Sequence, residues 1–269
     1  MDAPLIPDAD LVRRAQAIIG EYTASRVEII AARPGNPLRA EVRRFRAALA
    51  TRTPPFGEHL FNRAFGFSDA TLEAAVRVAD WYAEASVAGV FEIAPGLEND
   101  RLMTLLAARG YRQVRFHGAF AGPSELPQAP SPGVEVRQVS SDADLAAFSD
   151  AYHLGWANAG PRVPMQPWLT APGWSLYLGL CDGAPAGAAI LYLRDGDAYL
   201  ADSAVDPRFR RRGVHRALLD RRCAAAAATG ARVVFSGADY LSASSRNMVR
   251  KGLAVLYTKA IWRAPNERG

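Results

Sequence analysis

The stretch Val205-Asp206-Pro207-Arg208-Phe209-Arg210-Arg211-Arg212-Gly213-Val214-His215-Arg216-Ala217-Leu218-Leu219 carries more structural information than any other part of this chain. Its pattern predicts a strand that stops at a proline, an arginine-rich turn, and a helix that begins at Gly213. The first turn of a helix has backbone N–H groups without intrahelical partners, and the helix dipole adds partial positive charge there. Because glycine lets a backbone approach a ligand closely, this order predicts an anion site suited to a pyrophosphate.

Alternating strands and helices surround this turn in the C-terminal half. Turn sequences separate the strands that precede it, which predicts an antiparallel meander. The predicted elements are a strand over 134–139, a helix over 142–153, strands over 174–181, 188–193 and 198–205, a helix over 213–229, a strand over 231–237, a helix over 242–250 and a strand over 254–262.

The turn and its surroundings resemble the GNAT superfamily of N-acetyltransferases. That family carries the pattern Gln/Arg-x-x-Gly-x-Gly/Ala between a strand and a helix, and its backbone amides grip the pyrophosphate of acetyl-coenzyme A. Here the matching residues are Arg210, Gly213 and His215, with the histidine in place of the small last residue. The resemblance covers about residues 134–263. It implies an α/β (α+β) fold class, with the GNAT acyltransferase fold in the C-terminal half and acetyl-CoA as co-substrate.

A segment rich in proline, serine and glycine, residues 122–133, predicts a linker between two domains, 1–121 and 134–269. Residues 105–116 repeat the order of 247–257: a helix, a basic residue, a glycine and an alternating strand. We therefore expect the N-terminal half to be a smaller, degenerate GNAT-like unit packed against the catalytic half. Residues 62–68 stand where a second arginine–glycine turn would be sought, and they contain none, so this half is expected to bind no coenzyme.

The resemblance assigns the coenzyme contacts. The backbone of the strand end would bond the pantetheine arm, the turn would hold the pyrophosphate, and its arginines could also pair with the ribose 3′-phosphate. Counting back from Gly252 places Met248 and Leu241 where the family often has a tyrosine and an asparagine, so Asn247 either replaces the coenzyme contact or belongs to a polar helix cap. The expected coenzyme-binding residues are Ser203, Ala204, Val205, Arg210, Arg211, Arg212, Gly213, Val214, His215, Arg216 and Asn247.

Direct attack of an amine on a thioester needs a group that takes a proton from the ammonium and one that protonates the thiolate. Asp202 is the carboxylate best placed by sequence, and its alternative is an exposed strand residue or an arginine partner. His153 is the histidine to test as a base. Tyr257 and Tyr240 are candidate acids, with packing as the alternative.

The composition limits the other function classes. The net charge is +5 and no reading module accompanies the arginines, so nucleic-acid binding is not expected. Four histidines and two cysteines, Cys181 and Cys223, show no metal-ligand spacing, so no metal is expected. No signal peptide and no apolar run of about 18 residues is found, which predicts a cytoplasmic protein without membrane contact.

Two function hypotheses remain. In the first, the protein is an acyl-CoA-dependent N-acetyltransferase acting on a small-molecule or peptide amine. In the second, which the missing family tyrosine motivates, it is a non-catalytic acyl-CoA-binding or regulatory module. Residues 158–172, with Trp168, are expected to face the acceptor. The sequence leaves open the acceptor, the acyl chain length, the acid and base, the oligomeric state and whether the N-terminal half contributes to the acceptor pocket.

Overall fold

The computed structural model describes residues 6–56, 61–157 and 164–265. These residues form a mixed α/β fold. The helices are α1 (Ala9–Ala31), α2 (Leu72–Glu84), α3 (Asp100–Ala108), α4 (Asp142–Gly155), α5 (Val214–Ala228) and α6 (Ala243–Lys251). The strands are β1 (Glu41–Phe45), β2 (Ala48–Arg52), β3 (Arg63–Phe65), β4 (Val90–Ile93), β5 (Arg112–Pro123), β6 (Val134–Gln138), β7 (Trp174–Cys181), β8 (Ala184–Arg194), β9 (Asp197–Val205), β10 (Val233–Ala238) and β11 (Ala254–Arg263).

The chain divides into two compact units. The C-terminal unit is Phe120–Val255, and the N-terminal unit is Ile6–Ala119 with the residues from Leu256 onward. The division into domains that the linker suggests stays a prediction. Within the C-terminal unit, hydrogen bonds hold the linker, residues 122–133, against the rest of the unit. The hydroxyl of Ser124 donates to the carbonyl of Ala231, and the ammonium of Lys251 donates to the carbonyl of Pro127.

The C-terminal unit contains the predicted meander. Strands β6 to β9 pair antiparallel in sequence order, and β10 then pairs parallel to β9. The last residues of β5 lie beside β10. This strand and helix order is the predicted one, and the observed elements agree with the predicted ones to within a few residues.

Helix α5 is the crossover between the parallel strands β9 and β10, and it packs on the meander through small residues. A Cβ on Gly179 would lie 3.1 Å from a methyl of Val214, and a Cβ on Gly187 would lie 2.9 Å from it. Val214 and Leu218 are fully buried. The two glycines therefore let the first turn of α5 approach the sheet closely, which fixes the position of the turn that precedes it.

The N-terminal unit repeats this order with shorter strands. Strands β1 to β3 pair antiparallel, β4 pairs parallel to β3, and α2 is the crossover between them. Residues 260–263 of β11 pair antiparallel with β4 in this unit. The strand next to β10 is therefore β5, from the first half of the chain, and the strand next to β4 is β11, from the second half.

Buried charges lie on the sheet of the N-terminal unit. Glu92 is fully buried and forms ion pairs with Arg63 and Lys259. Burial alone would raise the pKa of Glu92, but the two cations lower it to about 2. Burial, followed by the charge of Lys259, lowers the pKa of His117 to about 3. This interior is therefore held by a paired carboxylate beside a neutral histidine.

Candidate functional site

The turn between β9 and α5 is shaped by Asp206. This buried carboxylate caps the 3₁₀ turn Pro207–Phe209 and accepts from the backbone N–H of Arg208 at 2.9 Å. The Arg208 guanidinium donates to the same carboxylate at 2.6 Å, and this bond lowers the pKa of Asp206. The turn thus has a fixed shape that depends on its own sequence.

Helix α5 begins with an open N-terminus. Gly213 is its N-cap, with φ of +86° and no side chain to bond the first amides. The carbonyl of Gly213 accepts from Ala217 at 3.0 Å, as in a regular first turn. The backbone N–H groups before Ala217 that have no intrahelical acceptor are those of Val214, His215 and Arg216. No acidic residue lies in this first turn, so the dipole and the amides favour an anion.

The arginines of the turn differ in what they contact. Arg212 forms an ion pair with Asp182 at the β7–β8 turn. Arg216 donates to the carbonyl of Pro130 and to the hydroxyl of Ser131, both in the linker. A Cβ on Gly213 would lie 3.3 Å from the Ser131 hydroxyl oxygen, so the linker borders the open helix end. Arg210 and Arg211 are exposed on the same turn, and Arg211 has φ of +64°.

Strand β9 has a bulge and then a free edge. The register with β8 shifts between Ala188 and Ile190, which face Ala204 and Ala201. The parallel pairing with β10 ends where Leu200 meets Ser236. Beyond Leu200 the β10-side edge of β9, including Ser203, Ala204 and Val205, has no ladder partner among the described strands. Free main-chain groups at a sheet edge can bond an extended ligand as a further strand would.

Arg222 of α5 fixes the bulge, and sequence reasoning missed it. Its side chain is fully buried, and its Nη1 donates at 3.0 Å to the carbonyls of both Ile190 and Ala201. Its Nε bonds the carbonyl of Leu218, and its Nη2 donates to the hydroxyl of Ser203 at 3.3 Å. A buried guanidinium therefore satisfies carbonyls on both sides of the bulge. In the sequence it is one arginine among many on an alanine-rich helix.

His215 joins the start of α5 to α6. Its Nε2 lies 3.3 Å from the Ser244 hydroxyl, and its Nδ1 lies 3.3 Å from the Asn247 amide nitrogen. Burial, with a smaller effect of Arg222, lowers the pKa of His215 to about 4. The imidazole is therefore neutral at pH 7. The side chain of Asn247 thus lies at the open end of α5, which is where the sequence-based hypothesis placed a coenzyme contact.

Asp202 lies on the bulge, with φ of +39°. The hydroxyl of Tyr152 on α4 donates to its Oδ2 at 2.9 Å. His153, the next residue of α4, is buried with 5 % of its surface exposed. The C-terminal unit therefore contains Asp202, His153 and the arginine turn together.

Tyr257 belongs to the N-terminal unit. It is buried, and its hydroxyl accepts from the amide of Gln16 on α1 at 2.7 Å. Burial raises its pKa above the ordinary value for tyrosine. Met248 is buried on α6, and Tyr240 is 59 % exposed after β10. A buried thioether therefore occupies the position counted as the family tyrosine.

The segment expected to face the acceptor, 158–172, falls partly outside the described residues, because 158–163 are not described. Its second part forms a 3₁₀ turn, Gln166–Leu169, in which Trp168 is buried. Among the described residues no group of three His, Cys, Asp or Glu side chains could hold a metal ion. No helix in the described ranges has both the length and the apolarity needed to cross a membrane.

Comparison with known proteins agrees with this geometry. Residues 145–253 match the model of the acetyltransferase (GNAT) family. A GCN5-related N-acetyltransferase from Kribbella flavida is similar at 16 % identity over 92 % of this chain and 96 % of that chain, with a TM-score of 0.64. One from Sphaerobacter thermophilus is 17 % identical over 98 % and 96 %, with a TM-score of 0.59.

A tandem GNAT protein from the clavulanic acid biosynthesis pathway is 10 % identical over 99 % of this chain and 98 % of that chain, with a TM-score of 0.57. No curated protein matches the chain. At these identities the solved structures show the fold. Residues 145–253, all within the C-terminal unit, therefore match a GNAT acetyltransferase domain, as the resemblance of the arginine-rich turn predicted.

Proposed function

We propose that this protein transfers an acetyl group from acetyl-CoA to an amine of a small molecule or peptide. The observation that carries the proposal is the open N-terminus of α5 beside the free edge of β9. The helix N-terminus offers backbone amides to a pyrophosphate, and the strand edge offers main-chain groups to the extended pantetheine arm of the coenzyme. Both belong to the C-terminal unit, so one ligand can use both.

The coenzyme fits the residues at this place. The amides of Val214, His215 and Arg216 would hold the pyrophosphate, and Arg210 and Arg211 would add charge from the exposed turn. Acetyl-CoA, as the second substrate, supplies an acetyl thioester. The free edge of β9 would keep that substrate extended next to Asp202.

Asp202 is the group we assign to the acceptor amine. As the amine nitrogen bonds to the acetyl carbon and the carbon–sulfur bond breaks, the ammonium proton must leave. The Asp202 carboxylate would accept it directly or through water, and a proton returns to the thiolate. His153 is the second candidate for the base. Tyr257 remains a candidate acid by sequence, although its hydroxyl is already bonded to Gln16.

Calorimetry with acetyl-CoA and the full-length chain tests the coenzyme part of the proposal. We expect a dissociation constant in the micromolar range. A folded protein that shows no heat of binding would overturn it. Release of free thiol with a panel of amines then tests the reaction, and its rate must increase in proportion to protein concentration.

A second function is favoured by the buried Met248, which stands where the family often has a tyrosine. In that case the protein binds acyl-CoA and acts as a non-catalytic regulatory module. It would bind acetyl-CoA in the calorimeter and release no thiol with any acceptor. A single productive acceptor excludes this alternative.

A further inference from the structure

We infer that Tyr152, Trp156 and Asp202 form the acceptor site and that this site takes an amine with one positive charge on a flat, apolar body. The inference rests on the proposed N-acetyltransferase activity. It concerns the C-terminal unit alone, because the three residues lie on α4, just after it and on β9.

The three side chains converge at the end of α4. The Tyr152 ring lies 6.4 Å from that of Trp156, and its hydroxyl lies 2.9 Å from Asp202 Oδ2. Trp156 is 47 % exposed, whereas Tyr152 and Asp202 are partly exposed. A ligand can therefore reach an aromatic face and a carboxylate at the same place.

Gly155 places this group beside the segment proposed for the coenzyme arm. A Cβ on Gly155 would lie 2.6 Å from the Cβ of Ala204 and 2.7 Å from the backbone nitrogen of Val205. Only a glycine permits so close an approach at this point. The end of α4 therefore touches β9 next to its bulge, so an amine held by Asp202 would stand next to residues 203–205.

Buried aromatic rings fix the position of Tyr152. Its ring contacts Phe148 at 6.0 Å and Trp168 at 6.3 Å, and Trp168 in turn contacts Trp174 at 5.3 Å. These three neighbours are buried, so the tyrosine has little freedom to move. Its hydroxyl can then hold Asp202 in one orientation, and a carboxylate has two oxygens that together accept several hydrogen bonds, including those of an ammonium. Aromatic faces also attract cations.

The single carboxylate of this group selects against polycations. Of its three side chains, only Asp202 carries a negative charge. A polyamine needs several anionic partners, whereas a single ammonium needs one. The flat body of a monoamine would stack on the exposed ring of Trp156. Asp202 also has a strained backbone, with φ of +39°, a conformation that side chains other than glycine tolerate where the surroundings enforce it.

The test uses three probes: 2-phenylethylamine, n-butylamine and spermidine. Calorimetry of the full-length protein with CoA present gives the affinity of each probe, and thiol release with acetyl-CoA gives KM and kcat. We expect 2-phenylethylamine to bind about tenfold more tightly than n-butylamine, because it can stack on Trp156, and spermidine to bind more weakly than 2-phenylethylamine. Spermidine as the preferred ligand, or no detectable binding of 2-phenylethylamine, overturns the inference.

Variants then assign the effect to residues. Trp156→Leu should remove the preference for 2-phenylethylamine over n-butylamine, a loss of about tenfold. Tyr152→Phe keeps the ring and should raise KM for both monoamines several-fold, with a smaller change in kcat. Phe116→Ala, which removes an exposed ring from the N-terminal unit, is the control and should change neither constant. A preference that survives Trp156→Leu in a folded protein contradicts the inference.

The results of these experiments distinguish a failure of the acceptor inference from a failure of the proposed acetyl transfer. Acetyl-CoA affinity should be the same in wild type, Trp156→Leu and Tyr152→Phe. If an amine other than these monoamines is acetylated and the variants leave it unaffected, the acceptor inference fails and the activity stands. If 2-phenylethylamine binds as described and no thiol is released with any amine, the acetyl transfer fails and the amine site stands.

Discussion

The two crossover helices, α5 in the C-terminal unit and α2 in the N-terminal unit, occupy equivalent places in the strand order but begin in opposite ways. Helix α5 starts at a glycine with open amides and no acidic residue in its first turn. Helix α2 follows a 3₁₀ turn, Asp69–Thr71, and has Glu73 in its own first turn. The same topology therefore has open amides without an acidic residue at the start of one crossover helix and an acidic first turn at the start of the other.

The start of α2 carries negative charge of its own. The hydroxyl of Thr71 accepts from the backbone N–H of Ser68 at 3.0 Å. The carboxylate of Asp69 accepts from the amides of Arg101 at 3.2 Å and Leu102 at 2.8 Å, at the start of α3. The carboxylate of Asp69 thus lies in the 3₁₀ turn that precedes α2, and Glu73 adds a second negative charge in the first turn of the helix, where both charges disfavour an anion. These contacts give a physical reason for the expectation that the N-terminal half binds no coenzyme.

The largest expected effect comes from giving the start of α5 a negative charge, as α2 has in Glu73. Gly213→Glu adds a negative charge at the open amides and should weaken acetyl-CoA binding by more than about 100-fold. Gly230→Glu is the matched control, because Gly230 follows the other end of α5 with φ of +81° and open space around its Cβ. Calorimetry with acetyl-CoA measures both. Equal losses in the two variants would show that backbone strain, and not the position of the charge, causes the effect.

The second effect concerns the bulge that accompanies the open helix. Arg222→Met removes the donor to the carbonyls of Ile190 and Ala201 inside the core and should lower the free energy of unfolding by about 3 kcal/mol. The control is Arg221→Met on the same helix, where the exposed guanidinium lies 5.6 Å from the Tyr177 ring. We expect it to cost about 0.5–1 kcal/mol. Urea unfolding of the two variants compares them, and similar costs would contradict the role assigned to Arg222.

Sequence reasoning found the open helix because its signals are local. The proline, the arginines and Gly213 lie within a few residues of each other, and each has a conformational or electrostatic meaning of its own. The meander was predictable for the same reason, since turn sequences separate its strands. Arg222 could not be found in this way. The carbonyls that it bonds, those of Ile190 and Ala201, lie 32 and 21 residues away in the chain. Both stand at the register shift between β8 and β9, which cannot be read from the sequence around Arg222.

Tyr257 shows a second limit of the sequence. Alternation predicts a strand around it, and the structure has one, β11. No local signal says that residues from Leu256 onward join the N-terminal unit, because strand pairing between distant segments depends on the whole fold. The hydroxyl therefore bonds Gln16, a residue 241 positions away.

A third, smaller effect concerns Asp69, in the 3₁₀ turn before α2. Asp69→Asn weakens the bonds to the amides of Arg101 and Leu102 and should cost about 1–2 kcal/mol of stability. Asp80→Asn on α2 removes an exposed ion pair with Arg109 and should cost about 0.5 kcal/mol or less. Urea unfolding measures the costs, and calorimetry should show unchanged acetyl-CoA affinity in both. A weaker affinity in Asp69→Asn would show that the N-terminal unit also contributes to coenzyme binding.

The smallest effect we predict is the pH dependence that His215 adds to the open helix. Its pKa is lowered to about 4 by burial and by Arg222, whereas in the unfolded chain a histidine titrates near its ordinary value of 6.5. Between these two values the unfolded chain binds more protons than the native one, so stability falls as the pH falls. From pH 6.5 to 5.5 the contribution of His215 is a loss of about 1 kcal/mol.

His215→Gln should remove that loss and keep a polar side chain near Ser244 and Asn247. His117 titrates with the same sign in both proteins, so the difference between their urea unfolding curves isolates His215. An identical pH dependence in wild type and variant would mean that the fold leaves the pKa of His215 at its ordinary value, and the effect assigned to its burial would be wrong.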